Sequence, residues 1–285
     1  MAIKTIMVPV GGTTGDAALA VAADLARRFG AHIEALYALR NPTDMAPFAA
    51  EGVPASTLKA IIETARKNIQ VEAADCKRRF TDFCKANAIP LADKPGRKAA
   101  ASASWRQEKG RESVVVGERG RLADLIVMER TDETWPGPVV LEAALLETGR
   151  PVLIVPKTKP KTIGTSVAIG WNGSAEAASA VAASGPFIGT AKSVVVLSTA
   201  DGTPPGLGSK DLVAHLAWHG IDASAKTFKG GMLSVGKSLL AEVAKAKADL
   251  LVMGGYGHSR GREMIFGGVT RHVLAEASIP VLMLH

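Results

Sequence analysis

The feature that most restricts the fold of this chain is a repeat. Asp124-Leu-Ile-Val-Met128 returns as Asp249-Leu-Leu-Val-Met253, and Arg150-Pro-Val-Leu-Ile-Val155 returns as Ile279-Pro-Val-Leu-Met-Leu284. Ile6-Met-Val-Pro-Val-Gly11 is echoed by Val167-Ala-Ile-Gly170-Trp171-Asn172. Each is a short apolar run, the pattern of a parallel strand buried on both faces and too short for a helix. Two copies of one α/β unit account for this. The 285 residues also suit two domains of about 100–150 residues each. The expected domains are 1–157 and 163–285, joined by the polar, proline-containing Lys157-Thr-Lys-Pro-Lys-Thr162.

Helical spacing alternates with the apolar runs. Ala18, Leu19, Ala22, Leu25 and Ala26 make a stripe along Asp16–Phe29, and Gly30 is placed to end that helix. The first copy is longer because a charged helix, Pro54 to about Asn87, follows its second strand, Ile33–Leu39. Ala100–Gln107 reads as a third strand, Glu112–Leu122 as a helix and Asp124–Met128 as a fourth strand. The second copy reads as strands Ser166–Gly170, Ser193–Ser198 and Ala223–Phe228, with helices Ala175–Ala183, Lys210–His219, Val235–Ala246 and Arg271–Ala277. The prediction is a tandem pair of doubly wound, mostly parallel five-stranded sheets with helices on both faces. Such sheets take ligands at the carboxyl ends of the strands, at the topological switch point. That gathers Gly170–Asn172, Ser198–Ala200 and Gly254–Gly268 around one pocket.

Composition narrows the class. Hydrophobic residues at 47% and charged residues at 21% support a sizeable core, and 5% aromatics suits helices packed on parallel strands. The net charge of +7 is spread without a dense basic block, so nucleic acid is not an expected partner. No apolar stretch approaches the roughly 18 residues that span a membrane. The amino terminus shows no apolar segment of the signal-peptide kind. The only cysteines, Cys76 and Cys84, share one predicted helix about 12 Å apart, too far for a disulfide. A reducing, cytoplasmic setting is the expectation.

The chemistry concentrates after the last repeat of the Asp-Leu motif. Gly254-Gly255-Tyr256-Gly257 is followed by His258 to Phe266 and then by Gly267-Gly268-Val269-Thr270. A strand, a glycine-rich loop and a helix start leave backbone N–H groups bare and aim a positive dipole end at an anion. His258, Arg260 and Arg262 add positive charge, although glycines after a strand also serve simply as turns.

The spacing Gly254-x-x-Gly257, nine residues, Gly267-Gly268 resembles the nucleotide loop of the universal stress protein family, as do Ala248-Asp249-Leu-Leu-Val-Met-Gly and Ile279-Pro-Val-Leu. The resemblance implies an adenine nucleotide alpha hydrolase-like, Rossmann-like fold and a stress-linked regulatory protein. It also implies ATP as ligand, with or without Mg2+, and at most slow hydrolysis. Residues implied at the nucleotide are Gly170, Trp171, Asn172, Ser198, Met253, Gly254, Gly257, His258, Arg260, Gly267, Gly268, Val269 and Thr270. Two positions depart from the family pattern. Gly268 stands where a hydroxyl residue is usual, with Thr270 the nearest hydroxyl, and Asn172 stands where an Asp contacts the nucleoside. Asn172-Gly173-Ser174 also reads as a turn and helix cap.

The first copy has an acidic Glu129–Pro138 segment in place of the glycine loop, and Gly11 where ATP-binding members carry Asp. It reads as a non-binding partner domain. Family members dimerise through their last strands, so Val152–Val155 and Val281–Leu284 are expected to pair within the chain. Two other readings stay open: a nucleotide-free member acting through protein partners or as a homodimer, and a P-loop NTPase using Gly231-Met-Leu-Ser-Val-Gly236-Lys237-Ser238. Asp211, His215 and His219 share a helix face at metal-ligand spacing, but no further ligand completes that set.

Overall fold

The computed structural model describes residues 2–11, 16–42, 54–94, 96, 100–130, 139–199, 207–230, 235–255 and 268–285. The first half supplies strands β1 (Thr5–Pro9), β2 (His32–Leu39), β3 (Ser102–Lys109), β4 (Leu125–Glu129) and β5 (Val152–Val155). The second supplies β6 (Ser166–Gly170), β7 (Ser193–Thr199), β8 (Ala223–Phe228), β9 (Leu250–Gly254) and β10 (Val281–Leu284). They form one ten-stranded sheet in the order β3-β2-β1-β4-β5-β10-β9-β6-β7-β8. Each half is parallel and repeats the same order outward from the join. The two expected five-stranded sheets therefore merge into one.

The join is antiparallel, with Val281 opposite Ile154 and Met283 opposite Val152. Both last strands are wholly apolar, and an unpaired edge of that kind invites association. Pairing within the chain satisfies both edges at once. The outer edges, β3 and β8, carry Arg106, Lys109 and Lys226 instead.

One face of the sheet is covered by α1 (Asp16–Phe29), α2 (Ala55–Ala86), α5 (Ala175–Ala183), α6 (Gly185–Ile188) and α7 (Ser209–Trp218). The other carries α3 (Glu112–Arg119), α4 (Val139–Glu147), α8 (Val235–Lys245) and α9 (Gly268–Glu276). The alanine stripe of α1 buries Ala18, Val21, Ala22 and Ala26 completely, and Gly30 follows at φ +59°. Helix α2 buries Ile69, Ala73, Cys76, Phe80 and Cys84, so both thiols lie in the core and are free. Burial pushes the Cys84 thiol up to about 11.

The repeated aspartates tie strand starts together. Asp124 accepts hydrogen bonds from the backbone N–H groups of Lys4 and Thr5, at 2.8 and 2.9 Å. Asp249 accepts from those of Thr165 and Ser166, at 3.2 and 3.0 Å. Across the two halves, Arg28 donates to the carbonyl of Ile163 at 2.8 Å and to the Thr190 hydroxyl, and Phe29 meets Phe187 edge-on at 5.5 Å.

Most observed bounds lie within two residues of those predicted, which is ordinary fraying. Helix α9 is the exception that matters. Its described residues run from Gly268 rather than Arg271, so Gly268, Val269 and Thr270 belong to the helix. No described helix is long and apolar enough to cross a membrane.

Candidate functional site

Each half has a switch point where the chain reverses its direction of winding. In the second half it lies between β6 and β9, whose ends are in register at Gly170 and Met253. In the first it lies between β1 and β4. The strand pairings equate the two crevices residue by residue. Gly11 stands for Asn172, Tyr37 for Ser198, Trp105 for Ala225, Glu129 for Gly254 and Arg130 for Gly255.

The second-half crevice is built from small groups. Gly254 ends β9 directly beneath the first turn of α5. A Cβ there would lie 2.5 Å from the amide nitrogen of Ala177 and 2.7 Å from the carbonyl carbon of Glu176, both immovable backbone. Only glycine lets the helix start so close to the strand end. The α5 amino terminus is capped locally: the Ser174 hydroxyl accepts from Ala177 N–H at 3.1 Å. The Asn172 carboxamide oxygen accepts from Ser174 N–H at 3.1 Å, and Gly173 takes φ +74°. Trp171 continues the β6–β7 ladder, its N–H donating to Leu197 at 2.8 Å, and its indole donates to the Leu207 carbonyl at 2.7 Å. Beside it, Ser198 is buried and Ala225 is exposed.

The first-half crevice is filled. The ring of Tyr37 lies against Gly11, where a Cβ would come within 2.8 Å of it, and Gly11 takes φ +106°. Tyr37 stacks on Trp105 at 5.7 Å, and Phe80 from α2 packs on the same indole at 5.8 Å. Burial drives the Tyr37 phenol up to about 12. The carboxylate of Glu129 is half-buried near the amides of Ala17 and Ala18 in α1, and its Oε2 is buried with no hydrogen-bond partner among the described residues. Burial raises its pKa above the ordinary carboxylate range, against the opposing pull of those amides. A side chain of the protein thus occupies the anion-favouring end of α1.

The structure brings Gly170, Trp171, Asn172, Ser198 and Gly254 to the ends of three adjacent strands. Met253 and Thr270 are placed differently: both side chains are buried, at 6% and 5% exposure. The Thr270 hydroxyl is therefore not the exposed substitute that the sequence suggested. Gly268 is exposed, and a Cβ on it would meet nothing within 4 Å. Val269 packs on the core between them. Gly257, His258, Arg260 and Gly267 lie outside the described residues, as does Ala200. Sequence reasoning missed the filling of the first crevice; aligning β2 with β7 by register, which sets Tyr37 against Ser198, would have exposed it.

The strand that precedes it argues against the P-loop reading. Residues 231–234 lie outside the described residues, and Gly236, Lys237 and Ser238 fall in the first turn of α8, as a P-loop would also have them. Gly236 is needed for helix packing, since a Cβ would lie 2.9 Å from that of His272 on α9. The preceding β8 is an exposed edge strand, where a phosphate loop follows a buried one. Asp211 is likewise engaged, accepting from the backbone N–H of Gly208 at 2.8 Å.

The fold defines a duplicated, doubly wound α/β protein whose two sets of described strand ends carry different side chains. The model of the Universal stress protein family matches residues 2–156 and 217–285, and the chain belongs to that family. Among solved structures, a universal stress protein from Archaeoglobus fulgidus DSM 4304 is 14% identical with a TM-score of 0.71, covering 98% of this chain and 95% of that one. A functionally unknown protein from Pseudomonas aeruginosa PAO1 is 15% identical with a TM-score of 0.59, covering 99% and 92%. At these identities the likeness is one of fold. No curated protein matches the chain.

Proposed function

We propose that the chain is a stress-response regulatory protein that binds an adenine nucleotide, ATP, in its second domain, residues 163–285. The first domain, residues 1–157, is its non-binding partner. The observation that carries this reading is the exchange of residues at one crevice. Glu129, Arg130, Tyr37 and Trp105 in the first half give way to Gly254, Gly255, Ser198 and Ala225 in the second. Gly254 and Gly255 lead into the glycine-spaced loop, and Gly268 and Val269 stand at the end of α9 that faces it along the chain. The protein is a binder, and any hydrolysis it performs is slow.

Mass spectrometry of the nucleotide that copurifies, followed by calorimetry with ATP, tests this directly. Gly257→Val and Gly267→Val should each abolish binding, and Lys237→Ala should leave it intact. Loss on Lys237→Ala alone would revive the P-loop. A flat titration of the wild type would end the nucleotide assignment.

One arrangement favours a second reading, a nucleotide-free member acting through protein contacts. The Asn172 carboxamide oxygen is committed to its own turn, and the hydroxyl usual at Gly268 is missing. Gly268→Ser separates the two. The site has room for the side chain, so stability should not change, and a restored hydroxyl should tighten ATP binding about 10-fold. No binding in either form supports the nucleotide-free role.

A further inference from the structure

Arg130 lies just past the end of β4, in the place that Gly255 holds in the second half. Its backbone N–H donates to Val155 at 2.8 Å, so the residue is seated by the β4–β5 ladder. Its guanidinium Nη1 then reaches the other half of the molecule and donates to the carbonyl of Ala277. Ala277 closes α9, its N–H donating to Val273 at 2.9 Å. The last carbonyls of a helix have no partner within it, and a cation there complements the dipole. Nine residues make α9 about 13 Å long, short enough to shift as one rod. Its middle is held by Val273, fully buried, and by His272 against Gly236. Its carboxyl end is held by a residue of the half whose own crevice is filled.

We propose that Arg130 is a positioning residue for the nucleotide site of the second half: it pins the carboxyl end of α9 and so keeps the amides of Gly268 and Val269 in place at the other end. The inference rests on the nucleotide reading given above and assigns the first half a part in that site. On that reading α9 serves the phosphates, so the role of Arg130 separates phosphate binding from nucleoside binding.

The test uses the full chain with Arg130→Gly, the residue that the second half carries, and Arg130→Lys, which keeps the charge. ATP and adenosine are titrated by calorimetry, and amide exchange is followed over residues 270–277 without ligand. Arg130→Gly should weaken ATP about 5-fold or more, leave adenosine within about 2-fold and speed exchange near Ala277, with Arg130→Lys recovering part of the loss. Equal loss for ATP and adenosine, or unchanged ATP affinity, overturns the inference. If the wild type binds no ATP, the nucleotide reading has failed, and the role assigned to Arg130 falls with it. Unchanged exchange in Arg130→Gly would show separately that the contact holds nothing.

Discussion

The ends of β4 and β9 are the same place in two copies of one fold, and they have been put to opposite uses. At β4 the chain continues with Glu129 and Arg130, the first half-buried near the amides of Ala17 and Ala18 and the second donating to the end of α9. At β9 it continues with Gly254 and Gly255, and α5 is capped instead by Ser174. The same division runs through the second strands, where Tyr37 fills and Ser198 does not. A duplicated fold can thus keep both cores intact while its equivalent strand ends diverge.

Exchanging residues between the halves should break this contrast, most strongly at the aromatic stack. Tyr37→Ser removes a ring packed on Gly11 and Trp105 and should cost about 3–5 kcal/mol in urea unfolding. A loss under 1 kcal/mol would mean that the ring only lines an open cleft. Gly254→Ala should cost less, about 1–3 kcal/mol, by forcing α5 off the strand end, and should weaken nucleotide binding with it. Unchanged stability there would show that α5 yields and that the close approach is not needed.

The smallest effect concerns the charge of Glu129. Its folded pKa is raised, so over the window just above the ordinary carboxylate value the folded state holds more proton than the unfolded. Stability from this group falls as pH rises through that window. Glu129→Gln, which keeps the shape without the charge, should therefore gain on the wild type as pH rises above the ordinary carboxylate value. Urea midpoints that move the other way would show that the amides of α1 outweigh burial, and that the crevice holds a stabilised anion.

Much of the architecture could be read from the chain. The twin Asp-Leu motifs, the alanine stripe of α1 and the apolar last strands are local patterns with one economical packing, and the pairing of β5 with β10 follows from two edges that need cover. Helix α9 includes Gly268 and Val269, which carry no helical signal of their own and lie ahead of its apolar spacing. The letter-perfect phosphate-loop motif ending at Lys237-Ser238 misleads for a related reason. A motif reports spacing along the chain, and its chemistry depends on which strand precedes it.

The sequence by itself determined the duplication, the winding of each half and the loop whose glycine spacing marks the family, because these rest on contacts between near neighbours and on apolar periodicity. Tertiary structure alone decided what packs into the first-half crevice. Tyr37 meets Gly11, Glu129 meets Ala17 and Arg130 meets Ala277 across long stretches of chain, and no local pattern encodes where two such residues will come together.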